Sequence, residues 1–137
     1  MAKIVLISCV SKKLREKARA EDLYISSLFK FGLKFAKIQN PDKIFILSAK
    51  YGLLGLDEII EPYNETLLNM GKIQRAVWAE NVLNKLKENS DLKNDLFIFL
   101  AGEKYREFIL PQIKKFEIPM KGLGIGRQLK FLKDNIK

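Results

Sequence analysis

The sequence lacks histidine entirely and contains one cysteine, Cys9, among its 137 residues. Without histidine, the chain has neither the commonest general base nor the commonest metal ligand, and it cannot form a Ser-His or Cys-His dyad. A single cysteine excludes an internal disulfide and a multi-cysteine zinc site. We therefore expect no metal and no cofactor, and any acid–base chemistry must come from Lys, Tyr, Cys, Asp or Glu.

Long apolar runs and acidic residues are also scarce. No apolar stretch approaches the roughly 20 residues of a membrane span, and the start of the chain is too short for a signal peptide, so we expect a cytoplasmic protein with no membrane partner. Sixteen acidic residues stand against 25 Lys and Arg, a formal net charge of +9. This excess favours nucleic acid or a nucleotide as partner; the alternative is a Lys/Glu-rich surface typical of thermophiles.

Apolar runs that alternate with segments of helical periodicity predict one α/β domain over residues 1–137. Strands are expected at residues 1–7, 43–47 and 95–100, with a short edge strand at 117–120. Helices are expected at about 20–36, 71–87, 103–116 and from about 124, with a long loop from 48 to about 69. The alternation implies a three-layer fold: a mostly parallel sheet of about four strands with helices on both faces.

Small and polar residues follow each of the three strong strands. The segments are Ser8-Cys9-Val10-Ser11-Lys12-Lys13, Ser48-Ala49-Lys50-Tyr51-Gly52 and Ala101-Gly102-Glu103-Lys104-Tyr105. The carboxyl ends of parallel strands share one edge of the sheet, and open α/β sheets bind ligands there. We therefore expect these segments to frame a single basic crevice.

The candidate catalytic residues of this crevice are Lys50, Lys13 and Cys9. A lysine anchors phosphate when it is solvated and becomes a nucleophile or base only when it is desolvated. Cys9 among lysines could be a reactive thiolate, although we favour a small buried residue at a strand end. Ser8 and Ser48 are expected to orient the ligand.

Two tyrosines and two glycines complete the expected crevice. Tyr51 and Tyr105 could stack on a base and still donate an O–H. Gly52 and Gly102 allow a close approach of the backbone or a positive φ.

A glycine-rich segment, Gly122-Leu123-Gly124-Ile125-Gly126-Arg127, opens the last predicted helix. We expect this helix start to frame the same basic crevice, because backbone N–H groups at such a start bind phosphate. Arg127 would hold phosphate there together with Lys13 and Lys50. The segment around Gly124 and Gly126 looks like the hairpin of a helix-hairpin-helix, which grips a phosphate backbone. A close-packing turn is an equally good interpretation.

The block Ser48-Ala49-Lys50-Tyr51-Gly52-Leu53-Leu54, continued by Asp57, Ile60, Pro62-Tyr63 and Met70, resembles the YaaA family. That family is linked to peroxide stress and DNA binding. The resemblance implies a stress-response role, a nucleic-acid partner and a ligand-binding role for Tyr63.

A wider set of residues looks like a smaller, uncharacterised family related to YaaA. The set adds Ser8-Cys9 with Lys12-Lys13, Asp22-Leu23-Tyr24 with Ser27 and Phe29, Ala101-Gly102 with Tyr105, and Gly124-Ile125-Gly126. In addition, Cys9-x-x-x-Lys13 is similar to the core of archaeosine synthase, in which the lysine attacks a modified guanine. This second resemblance implies a nucleobase pocket.

Together these features predict a protein that binds a nucleotide or nucleobase, free or within DNA or RNA, in a basic crevice. If the protein is an enzyme, Lys13 or Lys50 would act on a base or glycosidic bond. The alternative is a non-catalytic DNA-binding protein that uses the glycine-rich helix start and the basic last helix.

Overall fold

The computed structural model describes residues 1–8 and 12–136. Its strands are β1 (Lys3–Ser8), β2 (Ala18–Arg19), β3 (Lys43–Ser48), β4 (Gly52–Gly55), β5 (Ile59–Ile60), β6 (Leu96–Leu100) and β7 (Lys115–Glu117). Its helices are α1 (Ala20–Leu23), α2 (Ser27–Ile38), α3 (Lys72–Asn89), α4 (Glu103–Arg106) and α5 (Ile125–Asn135), with 3₁₀ turns at Leu67–Asn69 and Leu110–Gln112.

The main sheet has five strands in the order β4-β3-β1-β6-β7. Strands β3, β1, β6 and β7 run parallel, and β4 runs antiparallel to β3. A separate two-stranded ladder joins β2 to β5. The α/β class with a mostly parallel sheet is therefore confirmed, with one more strand in the sheet than expected.

The additional strand lies in the segment that we expected to be a long loop. Gly52 has a φ of 74°, a conformation that glycine adopts without steric cost. This turn folds β4 back onto β3 so that Ser48 pairs with Gly52 and Leu47 with Leu53. Two buried leucines, Leu53 and Leu54, then fix the new strand in the core.

The centre of the core is β1, in which Ile4, Val5, Leu6 and Ile7 are at most 2% exposed. A parallel strand covered on both faces is apolar throughout, which is why this run was recognisable in the sequence. The connection from β1 leads through α2 to β3, and the β3–β4 hairpin leads through α3 back across β1 to β6. Because crossovers are right-handed, α2 and α3 are expected on opposite faces of the sheet.

The first predicted helix, at residues 20–36, is interrupted. Helix α1 ends at Leu23, Tyr24 is extended, and Ser26 starts α2 by accepting a hydrogen bond from the Phe29 N–H at 3.2 Å. A serine N-cap satisfies a backbone donor that has no partner inside the helix. The break turns the Tyr24 side chain into the core, where it is 1% exposed.

The predicted helix at 103–116 was also wrong in extent. Only α4 and the 3₁₀ turn Leu110–Gln112 form, and β7 begins at Lys115, before the expected edge strand at 117. Pro111 lies in the 3₁₀ turn and has no backbone N–H to donate, so the segment cannot continue as one α-helix.

Two aspartates bind the backbone at the edge of the main sheet where the parallel strands begin. The buried carboxylate of Asp95 accepts hydrogen bonds from the backbone N–H groups of Ala2 and Asp91, both at 2.8 Å. Asp42 accepts from the N–H of Lys3 at 2.7 Å. These bonds hold the start of β1 against the starts of its two neighbours.

Candidate functional site

The ends of β3, β1 and β6 lie side by side, as the sequence predicted. Ser8 pairs with Leu47 and Ile7 pairs with Leu100. The chain leaves β1 toward β3 on one side and leaves β6 toward β7 on the other, so the strand order changes direction between β1 and β6. This is the place where open α/β sheets form their ligand crevice.

A chain of buried hydroxyl groups extends from the end of β3. Ser48 is fully buried; its Oγ accepts from the Tyr51 N–H at 3.1 Å and donates to the Tyr63 hydroxyl at 2.7 Å. The Tyr63 and Tyr24 hydroxyls are 2.7 Å apart. Either of these two hydroxyls can be the donor to the other. Ser48 thus positions Tyr63, whereas the sequence suggested that it orients the ligand directly.

An aromatic pair continues this network toward β6. The indole Nε1–H of Trp78 donates to the Ser48 carbonyl at 2.8 Å, and the Tyr105 ring meets the indole edge-to-face at 5.7 Å. Tyr105 is only 8% exposed. A stacking role for Tyr105 requires an accessible ring face, so its observed position fits a packing role between α4 and α3 instead.

Two lysines flank the tyrosines. The Lys13 Nζ lies 4.6 Å from the centre of the Tyr63 ring and 5.8 Å from that of Tyr24. The Lys50 Nζ lies 5.5 Å from the centre of the Tyr51 ring, which itself is 5.5 Å from the Tyr63 ring. Lys13 is half-buried and its backbone pairs with Tyr24, whereas Lys50 is exposed. The structure therefore brings Lys13, Lys50, Tyr51 and Tyr63 together.

Beside Lys13 lies an open groove of about 380 Å³. Its walls are formed by Lys13, Leu14, Arg15, Pro62, Tyr63 and Asn64. Arg15, Pro62 and Asn64 were not among the expected ligand-binding residues. Arg15 stands in a basic run visible in the sequence, but only the fold shows that residues 13–15 face residues 62–64.

Three more of the expected residues, Ser8, Gly52 and Gly102, lie at this edge and do not line the groove. Ser8 is half-buried at the end of β1, and Gly102 is the exposed N-cap of α4. A Cβ on Gly52 would meet only Val82, at 3.7 Å, so the positive φ of the hairpin explains this glycine. Cys9 lies outside the described residues.

The glycine-rich segment does not form a helix-hairpin-helix. Gly124 is the exposed N-cap of α5, and Gly126 and Arg127 are exposed in its first turn. The strand β7 and turns at 119–122 separate α5 from α4 and from the 3₁₀ turn Leu110–Gln112. A hairpin of that kind needs a helix on each side, so this interpretation was wrong.

Two acidic residues of the segment after β4, Asp57 and Glu58, bind other groups of the protein. Arg19 binds Asp57 at 2.6 Å and also Glu21, and the pKa of Arg19 is raised, first by its hydrogen bond with Glu21. Glu58 accepts a hydrogen bond from the Gly55 N–H at 2.6 Å.

Neither a metal site nor a membrane span is found within the described residues. No group of three His, Cys, Asp or Glu side chains there could hold a metal ion. None of the helices there combines the length and the apolar surface that crossing a bilayer requires.

Comparison with known proteins gives one assignment. No curated protein matches the chain, whereas the model of a family of unknown function, DUF6884, matches residues 4–134. The match provides no link to the YaaA family or to archaeosine synthase, so those resemblances stay predictions. The match covers nearly the whole chain, and the protein therefore belongs to the DUF6884 family.

Proposed function

We propose that the protein binds a nucleotide or nucleobase, free or within DNA or RNA, at the carboxyl edge of its sheet. The observation that carries this proposal is the position of Lys13. Its ammonium group lies over the ring of Tyr63, which lines the same groove and accepts a hydrogen bond from Ser48 at the end of β3. A cation held against aromatic rings next to a concave surface suits a ligand that combines phosphate with a planar ring.

The dimensions of the groove favour a single nucleotide unit. Its volume of about 380 Å³ is near the low end of the roughly 300–1,000 Å³ typical of ligand pockets. Arg15 would bind phosphate oxygens through its planar guanidinium, and Lys13 would do so as a point charge. Pro62 and the edge of Tyr63 would form an apolar wall for the sugar or base.

Chemistry, if the protein is an enzyme, is better assigned to Lys13 than to Lys50. An amine becomes a nucleophile or base when it is desolvated. Lys13 is half-buried against two tyrosine rings, whereas Lys50 is exposed to solvent. Action on a base or glycosidic bond in the cytoplasm would be consistent with this geometry.

Isothermal titration of the protein with a panel of ribo- and deoxyribonucleoside monophosphates tests the proposal. We expect Lys13→Ala to weaken binding at least about tenfold, which corresponds to about 1.4 kcal/mol. Lys85→Ala is the matched control, because Lys85 is exposed near the far end of α3. No binding by the unaltered protein at millimolar nucleotide, or equal losses in both variants, would contradict the proposal.

The alternative, DNA binding through α5, rests on the exposed Gly124, Gly126 and Arg127 at the start of that helix. In a titration with duplex DNA at several salt concentrations, this alternative predicts that Arg127→Ala weakens binding more than Lys13→Ala. The slope of the logarithm of the binding constant against the logarithm of the salt concentration should also become shallower, by about one for each phosphate that the variant no longer neutralises. The opposite order of the two variants would favour the groove.

A further inference from the structure

The strand β7 is the last strand of the main sheet. It pairs with β6 on one side, and within residues 1–8 and 12–136 no strand pairs with its other side. All three of its residues are exposed, and Phe116 is 43% exposed. An edge strand of this kind presents backbone N–H and C=O groups that can pair with another chain.

The charged side chains of β7 would form opposite-charge pairs with a second β7 strand that runs in the opposite direction. Successive side chains of a strand alternate between faces, so Lys115 and Glu117 share one face and Phe116 lies on the other. In an antiparallel pair centred on Phe116, each Lys115 would stand opposite the Glu117 of the other strand, and the two Phe116 rings would meet. In-register parallel pairing would instead place Lys115 opposite Lys115, which is unfavourable.

We propose that this edge binds a second copy of the chain, through an antiparallel pair of β7 strands related by a two-fold axis. The two main sheets would then continue into one another. Such an interface is closed, because the same patch is used by both partners and no free β7 edge remains. The proposal does not depend on the nucleotide groove.

The dimer is expected to be weak. β7 has three residues, and Pro119, two residues beyond it, has no N–H to add to the ladder. A short ladder with two exposed ion pairs buries less surface than the roughly 1,200 Å² of a stable interface. We therefore expect a dissociation constant in the micromolar range.

The experiment reverses one charge of β7 in each of two variants and then mixes the variants. Sedimentation velocity measures their association from about 5 to about 500 µM, a range that spans micromolar dissociation constants. Glu117→Lys gives each strand two lysines, and Lys115→Glu gives each strand two glutamates. Each variant alone should dimerise at least about tenfold more weakly than the unaltered chain, since like charges then face each other. An equimolar mixture of the two variants should form a heterodimer, because every cross-strand pair is again opposite in charge.

The charge-matched control is Lys30→Glu, at an exposed lysine of α2, which should dimerise like the unaltered chain. Circular dichroism of each variant checks that the fold is kept. The proposal is overturned if the unaltered chain stays monomeric up to about 500 µM, if Glu117→Lys leaves a dimer unchanged, or if the mixed variants fail to associate.

Discussion

The parallel strands begin at one edge of the main sheet, the amino edge, and end at the opposite one, the carboxyl edge. Polar groups at these two edges are hydrogen-bonded in different ways. At the amino edge, carboxylates accept hydrogen bonds from the backbone: Asp95 binds Ala2 and Asp91, and Asp42 binds Lys3. At the carboxyl edge, buried hydroxyls bind one another, and cations that include Lys13 and Lys50 lie near the surface.

This difference suggests that the amino edge contributes to the stability of the fold and the carboxyl edge to ligand binding. The amino edge directs its negative charge inward, to backbone groups that need an acceptor, and those bonds fix where the strands start. The carboxyl edge combines a network of buried hydroxyls with lysine and arginine side chains that line a groove. Substitutions at the amino edge should therefore change the free energy of unfolding, and substitutions of the rim cations should change ligand affinity.

The largest effect is expected for Asp95→Ala. Two backbone N–H groups would lose an ionised acceptor, so we expect the free energy of unfolding to fall by about 2 kcal/mol. Urea denaturation measures this change. The control is Asp134→Ala, because Asp134 is exposed and pairs only at 3.8 Å with Lys130; a change within about 0.5 kcal/mol is expected there. Equal changes in both variants would mean that the amino edge has no special role in stability.

Tyr63→Phe should have the next largest effect. The substitution removes the hydroxyl that joins Ser48 to Tyr24 and leaves two buried hydroxyls without that partner, so we expect a loss of about 1 kcal/mol in thermal or urea unfolding. Tyr51→Phe is the matched control, since the Tyr51 hydroxyl makes a longer bond, 3.3 Å, to the Glu61 carbonyl at the surface. A control that loses as much as Tyr63→Phe would rule out a stabilising hydroxyl chain.

Acid should weaken the amino edge by a smaller amount. The pKa of Asp95 is lowered, first by the hydrogen bond from the Asp91 N–H and then by that from Ala2. The folded pKa therefore lies below the unfolded value of about 3.9. The stabilisation is complete above about pH 4 and is lost as the pH falls through the folded pKa, because the unfolded state binds the proton first.

Unfolding curves between about pH 2.5 and pH 6 measure this linkage, since that range spans the titration of aspartate. We expect stability to decline more steeply below pH 4 in the unaltered chain than in Asp95→Asn, whose amide does not titrate. Identical slopes would show that Asp95 is not responsible for the acid dependence.

The strong elements could be predicted from the sequence because their signal is local. β1, β3 and β6 are apolar runs, and their predicted bounds differ from the observed ones by two residues at the start of β1 and by one residue or none at the other five ends. β4 and β5 were missed because strands of four and two residues resemble loop sequence. Their pairing depends on Gly52 and on distant partners such as Ala18.

The candidate site shows the same limit. That the ends of β1, β3 and β6 meet followed from the topology of parallel strands, but the groove between residues 13–15 and 62–64 did not. The site's internal contacts did not follow, because Tyr24 and Tyr63 are 39 residues apart in the chain and the sequence predicted Tyr24 inside one continuous helix. Likewise, the ring of the buried Tyr105 packs against Trp78, which no strand-end pattern includes.

The smallest effect is expected for Lys50→Ala, which tests how far the carboxyl edge extends. Lys50 is exposed and lies against the Tyr51 ring rather than in the groove, so unfolding should change by less than about 0.5 kcal/mol. Nucleotide affinity should fall about two- to threefold at low salt, and this loss should vanish near 0.5 M salt, because exposed charges are screened. The loss in Lys13→Ala should persist at that salt, because Lys13 is half-buried. If Lys50→Ala instead matches Lys13→Ala at both salt concentrations, the ligand lies across the outer rim, and the groove between residues 13–15 and 62–64 is not its binding site.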